Sequence, residues 1–254
     1  MQSDLTKLEQ WSKIWQLLFN AKKCKVMHFG HNNPKRKYVL NGQELEATRA
    51  EKDLGVMVDD NLKFHIHTAS AAKKANQMLG VIKRTYVTRD ADTITTLYKS
   101  MVRPHLEYGN AIWGPCYVGD LKSVEGVQRR ATKMVSEIRE LSYEDRLRTL
   151  KLPSMEYRRK RGDMIQCFKV MNGLVRIKAE ELFTPIPSNN TRGHGQRVLR
   201  TKAHKATRMK SFSQRTIKSW NSLPSEVINS PSVNVFKNRL DEAWESKIYK
   251  TSVI

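Results

Sequence analysis

The sequence predicts an α+β protein that is mainly α: a small antiparallel sheet near the N-terminus, then a helical bundle, then a basic C-terminal segment. Three observations predict it. In residues 51–64, EKDLGVMVDDNLKF, Leu54, Val56 and Val58 alternate with Gly55 and Met57 at the period of a strand, until Asp59, Asp60 and Asn61 break the run. From Ala69 onward, apolar residues recur at helical spacing instead. Charge is also uneven: residues 1–60 carry 10 basic and 8 acidic side chains, 61–175 carry 21 and 11, and 176–254 carry 15 and 6, so the positive excess lies in the later two thirds.

Each strand and turn of the first part follows from its residues. Leu5, Leu8, Trp11 or Ser12, Trp15 and Phe19 form a helical stripe, with Ser3 or Asp4 as cap, and the stripe reads as core. Residues 20–23 read as a turn and 25–29 as a strand. Residues 38–40 and 43–45 flank Asn41 and Gly42, a dipeptide that tolerates positive φ at both centres of a type I′ turn. With 54–58 taken as the last strand, this makes three or four short strands behind one helix. His65 and His67 flank Ile66 on one strand face; with no third ligand at hand they read as surface histidines and no metal site is expected.

The helices follow. Ala71, Ala75, Met78, Leu79 and Ile82 form one face over residues 69–84, with Lys73, Lys74, Lys83 and Arg84 outside it. Asp90 or Asp92 caps a helix burying Ile94, Leu97, Tyr98, Met101 and Val102, which Pro104 must kink or restart because it lacks an amide proton. Tyr108, Gly109, Trp113, Gly114 and Pro115 form an aromatic corner. Asp120 caps the next helix, with Leu121, Val124, Val127, Ala131, Met134, Val135 and Ile138 inward and Lys122, Arg129, Arg130 and Lys133 outward. Ser142 and Asp145 have capping-box spacing. A helix over 155–172 buries Met164, Ile165, Phe168 and Met171 and ends at Gly173. Arg158, Arg159, Lys160 and Arg161 crowd its first turns, the wrong end for the helix dipole, so they either meet phosphate or lie in solvent.

Between residues 185 and 218 the apolar periodicity is lost. Residues 192–218 hold nine Lys or Arg and no acid, among them Arg192, Arg197, Arg200, Lys202, Lys205, Arg208 and Lys210, which reads as a flexible basic arm that orders on a polyanion. Phe212, Thr216 and Trp220 begin a short helix, and Ser232 caps a last one burying Val233, Phe236, Leu240 and Trp244.

A net charge of +21 and a pI near 10.0 are the electrostatic footprint of a nucleic-acid binder, for RNA, DNA or an RNA/DNA hybrid. No apolar run approaches the roughly 18–20 residues needed to span a bilayer, so no membrane partner is expected. Cys24, Cys116 and Cys167 are odd in number and lack zinc-site spacing, which with the absence of a signal-peptide core leads to an intracellular expectation, nucleus or cytoplasm. No nucleophile with a placed base and no phosphate-cradling glycine loop is legible.

The order N-x-x-K-C (20–24), EKDLGV (51–56), YKSMVRPHLEYGNAIW (98–113), QRRATKM (128–134), SWNSLP (219–224) and VFKNRL (235–240) resembles the tail of the reverse transcriptase of LINE-type, jockey-like non-LTR retrotransposons. It covers nearly the whole chain. The resemblance implies a chain that begins after the polymerase's catalytic aspartates, with residues 1–61 a palm remnant carrying a primer-grip-like hairpin, 62–175 a helical thumb-like domain, and 176–254 a basic arm with short helices. It implies that Leu54 and Gly55 match the primer grip, and that Lys23 matches a general acid proposed to protonate pyrophosphate. It implies no cofactor in this chain, magnesium being expected only with the missing catalytic palm, and the rest of the polymerase as a partner. Residues 57–60 imitate the Y-x-D-D box of reverse transcriptases, but the aromatic and a third carboxylate are absent, so Asp59 and Asp60 read as a strand end and turn. The family activity is RNA-directed DNA polymerase, and the chain alone is expected to be inactive. A helical protein-interaction module and a non-functional genomic relic remain as alternatives.

Overall fold

The structure is a computed structural model that describes residues 1–30, 32–186 and 193–252. They form two compact units, Met1–Phe64 and His65–Ile254. Helices dominate and the strands are short, so the class is α+β, mainly α.

In the first unit, α1 (Gln2–Ile14) precedes β1 (Lys25–Met27), β2 (Val39–Leu40), β3 (Gln43–Glu44), β4 (Glu46–Thr48), β5 (Ala50–Asp53) and β6 (Val56–Asp59). These strands make three two-stranded ladders rather than one sheet, and the β1–β4 pair is parallel. The two hairpins share one device. Asn41 and Gly42 join β2 to β3 with φ of 52° and 72°, and Leu54 and Gly55 join β5 to β6 with φ of 42° and 88°. Positive φ at both central residues is the two-residue hairpin turn that matches strand twist. Leu54 and Gly55 therefore form a turn, not the start of a strand. The partner strand β5, Ala-Glu-Lys-Asp, has no apolar alternation to announce it.

α1 is fastened through polar groups. The Gln2 carboxamide makes two 3.0 Å hydrogen bonds, donating to the Val39 carbonyl and accepting from its amide. The expected core stripe is not core: Ser12 is buried, but Leu8, Trp11 and Trp15 are exposed.

The second unit contains α2 (His65–Thr85), α3 (Ala91–Leu97), α4 (Arg103–Glu107), α5 (Asn110–Trp113), α6 (Val118–Thr132), α7 (Tyr143–Thr149) and α8 (Met155–Met171), then α9 (Ala179–Leu182), α10 (Ala206–Lys210), α11 (Phe212–Arg215), α12 (Ile217–Asn221), α13 (Ser225–Ile228) and α14 (Val233–Ala243). Two apolar clusters hold them. One joins Ala75, Leu79, Tyr98, Val102, Val127 and Leu147; the other joins Met164, Phe168, Trp220, Phe236 and Leu240. α8 contributes to both, Met155 to the first and Tyr157 through Val170 to the second.

Local chemistry sets the helix ends. The carboxylates or hydroxyls of Asp90, Ser142, Ser154 and Ser232 accept amides of their first turns. At Gly173, with φ of 65°, the Gly173 amide reaches Val170 O and the Leu174 amide reaches Lys169 O, the paired bonds of a Schellman end. Pro104 is accommodated by a wide π turn over Tyr98–Val102, in which the Arg103 amide donates to Tyr98 O five residues back. Widening the turn relieves the clash a proline ring makes with the carbonyl four residues before it. Asp120 does not cap α6, which begins at Val118 without a side-chain cap.

The basic segment expected to be flexible is held around Val198. Pro185 and Val198 bridge antiparallel strand-like backbone, and the Asn221 side chain bonds both the amide and the carbonyl of Val198 at 3.0 and 2.8 Å. The Trp220 indole donates to Gln196 O, and Val198 is fully buried. The anchors come from α12, outside any periodicity of the segment itself.

Candidate nucleic-acid interface

α2 and α6 pack through small residues, Ala72 and Ala75 against Val124, Val127 and Ala131, which brings the helices close. Beside that seam lies an open groove lined by Lys73, Asn76, Gln77, Gly80 and Arg84 of α2 and by Lys122, Ser123 and Arg130 of α6. The spacing explains the lining. Residues 73, 76, 77, 80 and 84 recur at three or four, as do 122, 126 and 130, so each helix turns one polar stripe to the groove. Four cations line it and no acid does.

The two stripes share a local design. Gly80 starts Gly-Val-Ile-Lys-Arg and Gly126 starts Gly-Val-Gln-Arg-Arg. The final arginine of each folds back over its glycine: Arg84 Nη1 and Arg130 Nη1 each lie 3.5 Å from where a glycine Cβ would stand. Arg130 Nε also donates to Asn76 Oδ1 at 3.1 Å, tying α6 to α2 across the groove. This repeated pentapeptide, with Asn76, Gln77 and Ser123, is what sequence reading missed; comparing the two helices residue by residue would have found it.

The remaining expected residues divide by environment. Lys74, Lys83 and Lys133 are exposed but do not line the groove. Arg129 is half-buried, with its guanidinium 5.0 Å over the Tyr143 ring. Arg158 and Arg161 of α8 answer neither expectation for them. Arg158 forms a two-point pair with Glu107, one contact at 2.8 Å, and Arg161 pairs with Asp241 at 2.5 and 2.7 Å. Acids distant in sequence neutralise them, which local spacing cannot reveal. Arg159 is half-buried in the same region.

In the basic segment, Arg200 and Lys202 line a shallow depression with His204 and Gln214, and Lys205 and Arg208 are exposed. Arg197 is half-buried, and Lys210 Nζ sits 3.1 Å from the centre of the Tyr117 ring. Arg192 lies outside the described residues. Arg215, not among the candidates, forms a buried pair with Asp163 at 2.8 and 2.9 Å.

The histidine expectation is corrected. His65 and His67 open a helix, not a strand; His65 Nδ1 lies 2.6 Å from Asp120 Oδ2, and His67 is buried edge-on against Trp113. Burial, with Lys74 adding repulsion, lowers the His67 pKa.

In the first unit, Lys23 lies exposed in the short turn Ala21–Lys23 between α1 and β1. Leu54 stands at the hairpin tip, 86% exposed. Asp59 is buried, and its two oxygens accept the Lys63 and Phe64 amides at 2.9 and 2.8 Å. That carboxylate ends a strand and closes a turn.

Over 140 residues the chain is 25% identical to the RNA-directed DNA polymerase from mobile element jockey of Drosophila melanogaster, a match covering 54% of this chain. Over 137 residues it is 23% identical to the probable RNA-directed DNA polymerase from transposon X-element of the same fly, covering 51%. The chain is similar to jockey-like RNA-directed DNA polymerases of non-LTR retrotransposons. The jockey protein of Drosophila funebris matches at 25% over 142 residues. In each case the jockey-like stretch spans 15% of the relative's length. No family model matches the chain, and no solved structure matches it. Among the described residues, no helix is long and apolar enough to cross a membrane.

Proposed function

We propose that this chain is part of a retrotransposon RNA-directed DNA polymerase and that it binds template and primer nucleic acid without sequence specificity, through the groove between α2 and α6. The observation that carries the reading is the groove's lining of Lys73, Arg84, Lys122 and Arg130 with no acid. Cations held on helices contact phosphates wherever the duplex lies, so affinity is independent of sequence and sensitive to salt. The similarity to jockey-like polymerases supports nucleic acid as the partner. The exposed cations Arg200, Lys202, Lys205 and Arg208 add to the basic surface without being needed for the groove, and Leu54 with Gly55 offers a protruding tip for a primer end.

Catalysis is not assigned to this chain. Both oxygens of Asp59 are engaged by backbone amides, so this carboxylate serves a turn, and magnesium would enter with a catalytic palm supplied elsewhere. Lys23 would act as a general acid only against a triphosphate held there.

The test is fluorescence anisotropy with an RNA/DNA hybrid over a salt series, beside a primer-extension assay. Affinity is expected to fall steeply with salt. Lys73→Gln with Arg130→Gln is expected to lower the slope of log K against log salt by about 1.5–2 while leaving helicity intact. Salt-independent binding would end this reading, and extension by the chain alone would overturn the assignment of Asp59.

A further inference from the structure

A separate cavity of about 250 Å3 lies in the second unit, lined by Leu106, Val124, Met155 and Ile165 as apolar wall and by Glu107, Asn110 and the α8 arginines as polar wall. A water needs about 10–15 Å3 by the same measure, so this space admits an organic ligand. Gly162 keeps it open: a Cβ there would meet only Asn110 Nδ2 within 4 Å, at 3.8 Å.

The charge balance of the cavity is incomplete. Arg158 is held by Glu107 and Arg161 by Asp241. Arg159 has no carboxylate within ion-pair distance among the described residues, and Asp163, one helical turn on, is already in its buried pair with Arg215. Burial pushes the Arg159 pKa down; Cys116, Asp163 and Glu156 nearby pull it back up in part, and Arg215 adds repulsion. A partly desolvated cation without a direct ion pair is costly, and a bound anion would lower that cost. The apolar wall opposite selects an anion that carries an apolar body.

We propose that this cavity takes a nucleotide unit, with its phosphate on Arg159 and its base or sugar against Leu106, Val124, Met155 and Ile165. The unit is either a free nucleoside monophosphate or the 5′-terminal nucleotide of a bound strand. The choice of phosphate over carboxylate rests on the nucleic-acid reading above; the cavity itself is distinct from the groove.

The experiment titrates the full chain, labelled at methionine methyls, with a nucleoside 5′-monophosphate, with inorganic phosphate, and with a short single strand carrying or lacking a 5′-phosphate. The monophosphate is expected to shift the Met155 methyl and to bind at least about tenfold tighter than inorganic phosphate, because the apolar wall adds to the anion contact. Arg159→Gln is expected to weaken binding about tenfold or more, and Gly162→Val to weaken it by narrowing the space. A Met155 shift with the 5′-phosphorylated strand alone among the oligonucleotides would assign the terminal nucleotide; a shift with the monophosphate only would assign the free one. The Lys73→Gln, Arg130→Gln double variant is expected to lose duplex affinity and keep monophosphate binding, so failure of the groove leaves the cavity standing. No methyl shift at millimolar monophosphate, equal affinity for inorganic phosphate, or unchanged binding in a folded Arg159→Gln protein would overturn the proposal. If that variant does not fold, the wild-type Met155 shift decides.

Discussion

The two units bury their apolar residues very differently. In Met1–Phe64 the buried apolar side chains among the described residues are Leu40, Leu45 and Val56, while Leu8, Trp11, Ile14, Trp15, Leu17 and Leu18 stand exposed. In His65–Ile254, stripes of the same kind close into two clusters around Tyr98, Val127, Phe168 and Trp220. α1 and α6 both have apolar residues at helical spacing, but only α6 meets partners that cover them. An amphipathic pattern thus establishes that a face favours burial and leaves open whether this chain supplies the cover.

The contrast can be broken most directly with a pair of tryptophans. Trp220 is fully buried and Trp15 is 64% exposed. Trp220→Ala is expected to cost about 3–5 kcal/mol and Trp15→Ala less than about 0.5 kcal/mol in urea unfolding of the chain. Equal costs would mean that α1 is covered in solution.

A smaller effect should appear in acid. The Glu156 carboxylate accepts the Ser252 amide at 2.6 Å and pairs with Lys160 at 2.7 Å, latching the C-terminal residues to α8. Burial alone would raise its pKa, but Lys160 and Ser252 outweigh burial and hold it at about 2. A depressed carboxyl binds its proton more weakly folded than unfolded, so its stabilisation is complete above the ordinary value of 4.5 and is lost as pH falls from there toward about 2. Glu125 has the opposite sign: burial raises its pKa and outweighs the hydrogen bonds from Tyr143 and the α8 amides, which lower it, so the folded form loses stability as pH rises through the ordinary carboxylate range. Glu156→Gln is expected to flatten the acid limb of thermal unfolding between pH 4.5 and 2, and an unchanged limb would show that the latch is open in solution.

The smallest effect concerns the first unit's hairpin. Leu54 holds φ of 42°, which a branched apolar residue adopts at a cost and asparagine adopts readily. Leu54→Asn is expected to stabilise the chain by about 0.5–1 kcal/mol, read as a raised urea midpoint. Destabilisation would show that Leu54 is packed against something in solution and would narrow the contrast between the units.

Legibility followed the range of the interaction. The Asn41-Gly42 turn, the Asp90, Ser142 and Ser232 caps and the Gly173 end were readable because each depends on neighbours within a few residues. Four of the groove's cations were also readable as outward residues of amphipathic helices, although their meeting at one groove was not. Arg158 and Arg161 of α8 were misread because Glu107 and Asp241, their partners, lie 51 and 80 residues away. β5 was missed because a surface strand of Ala-Glu-Lys-Asp carries no apolar signal.

By itself, the sequence determined the helical class, the helix ends, the basic excess and the similarity to jockey-like polymerases, since propensity, capping and net charge are properties of short stretches or of composition. Tertiary structure alone decided which cations remain free for a ligand and which are neutralised, and which apolar stripes are covered. Both depend on the approach of side chains far apart along the chain: desolvation and ion pairing act over a few ångströms of space, whatever the separation in sequence.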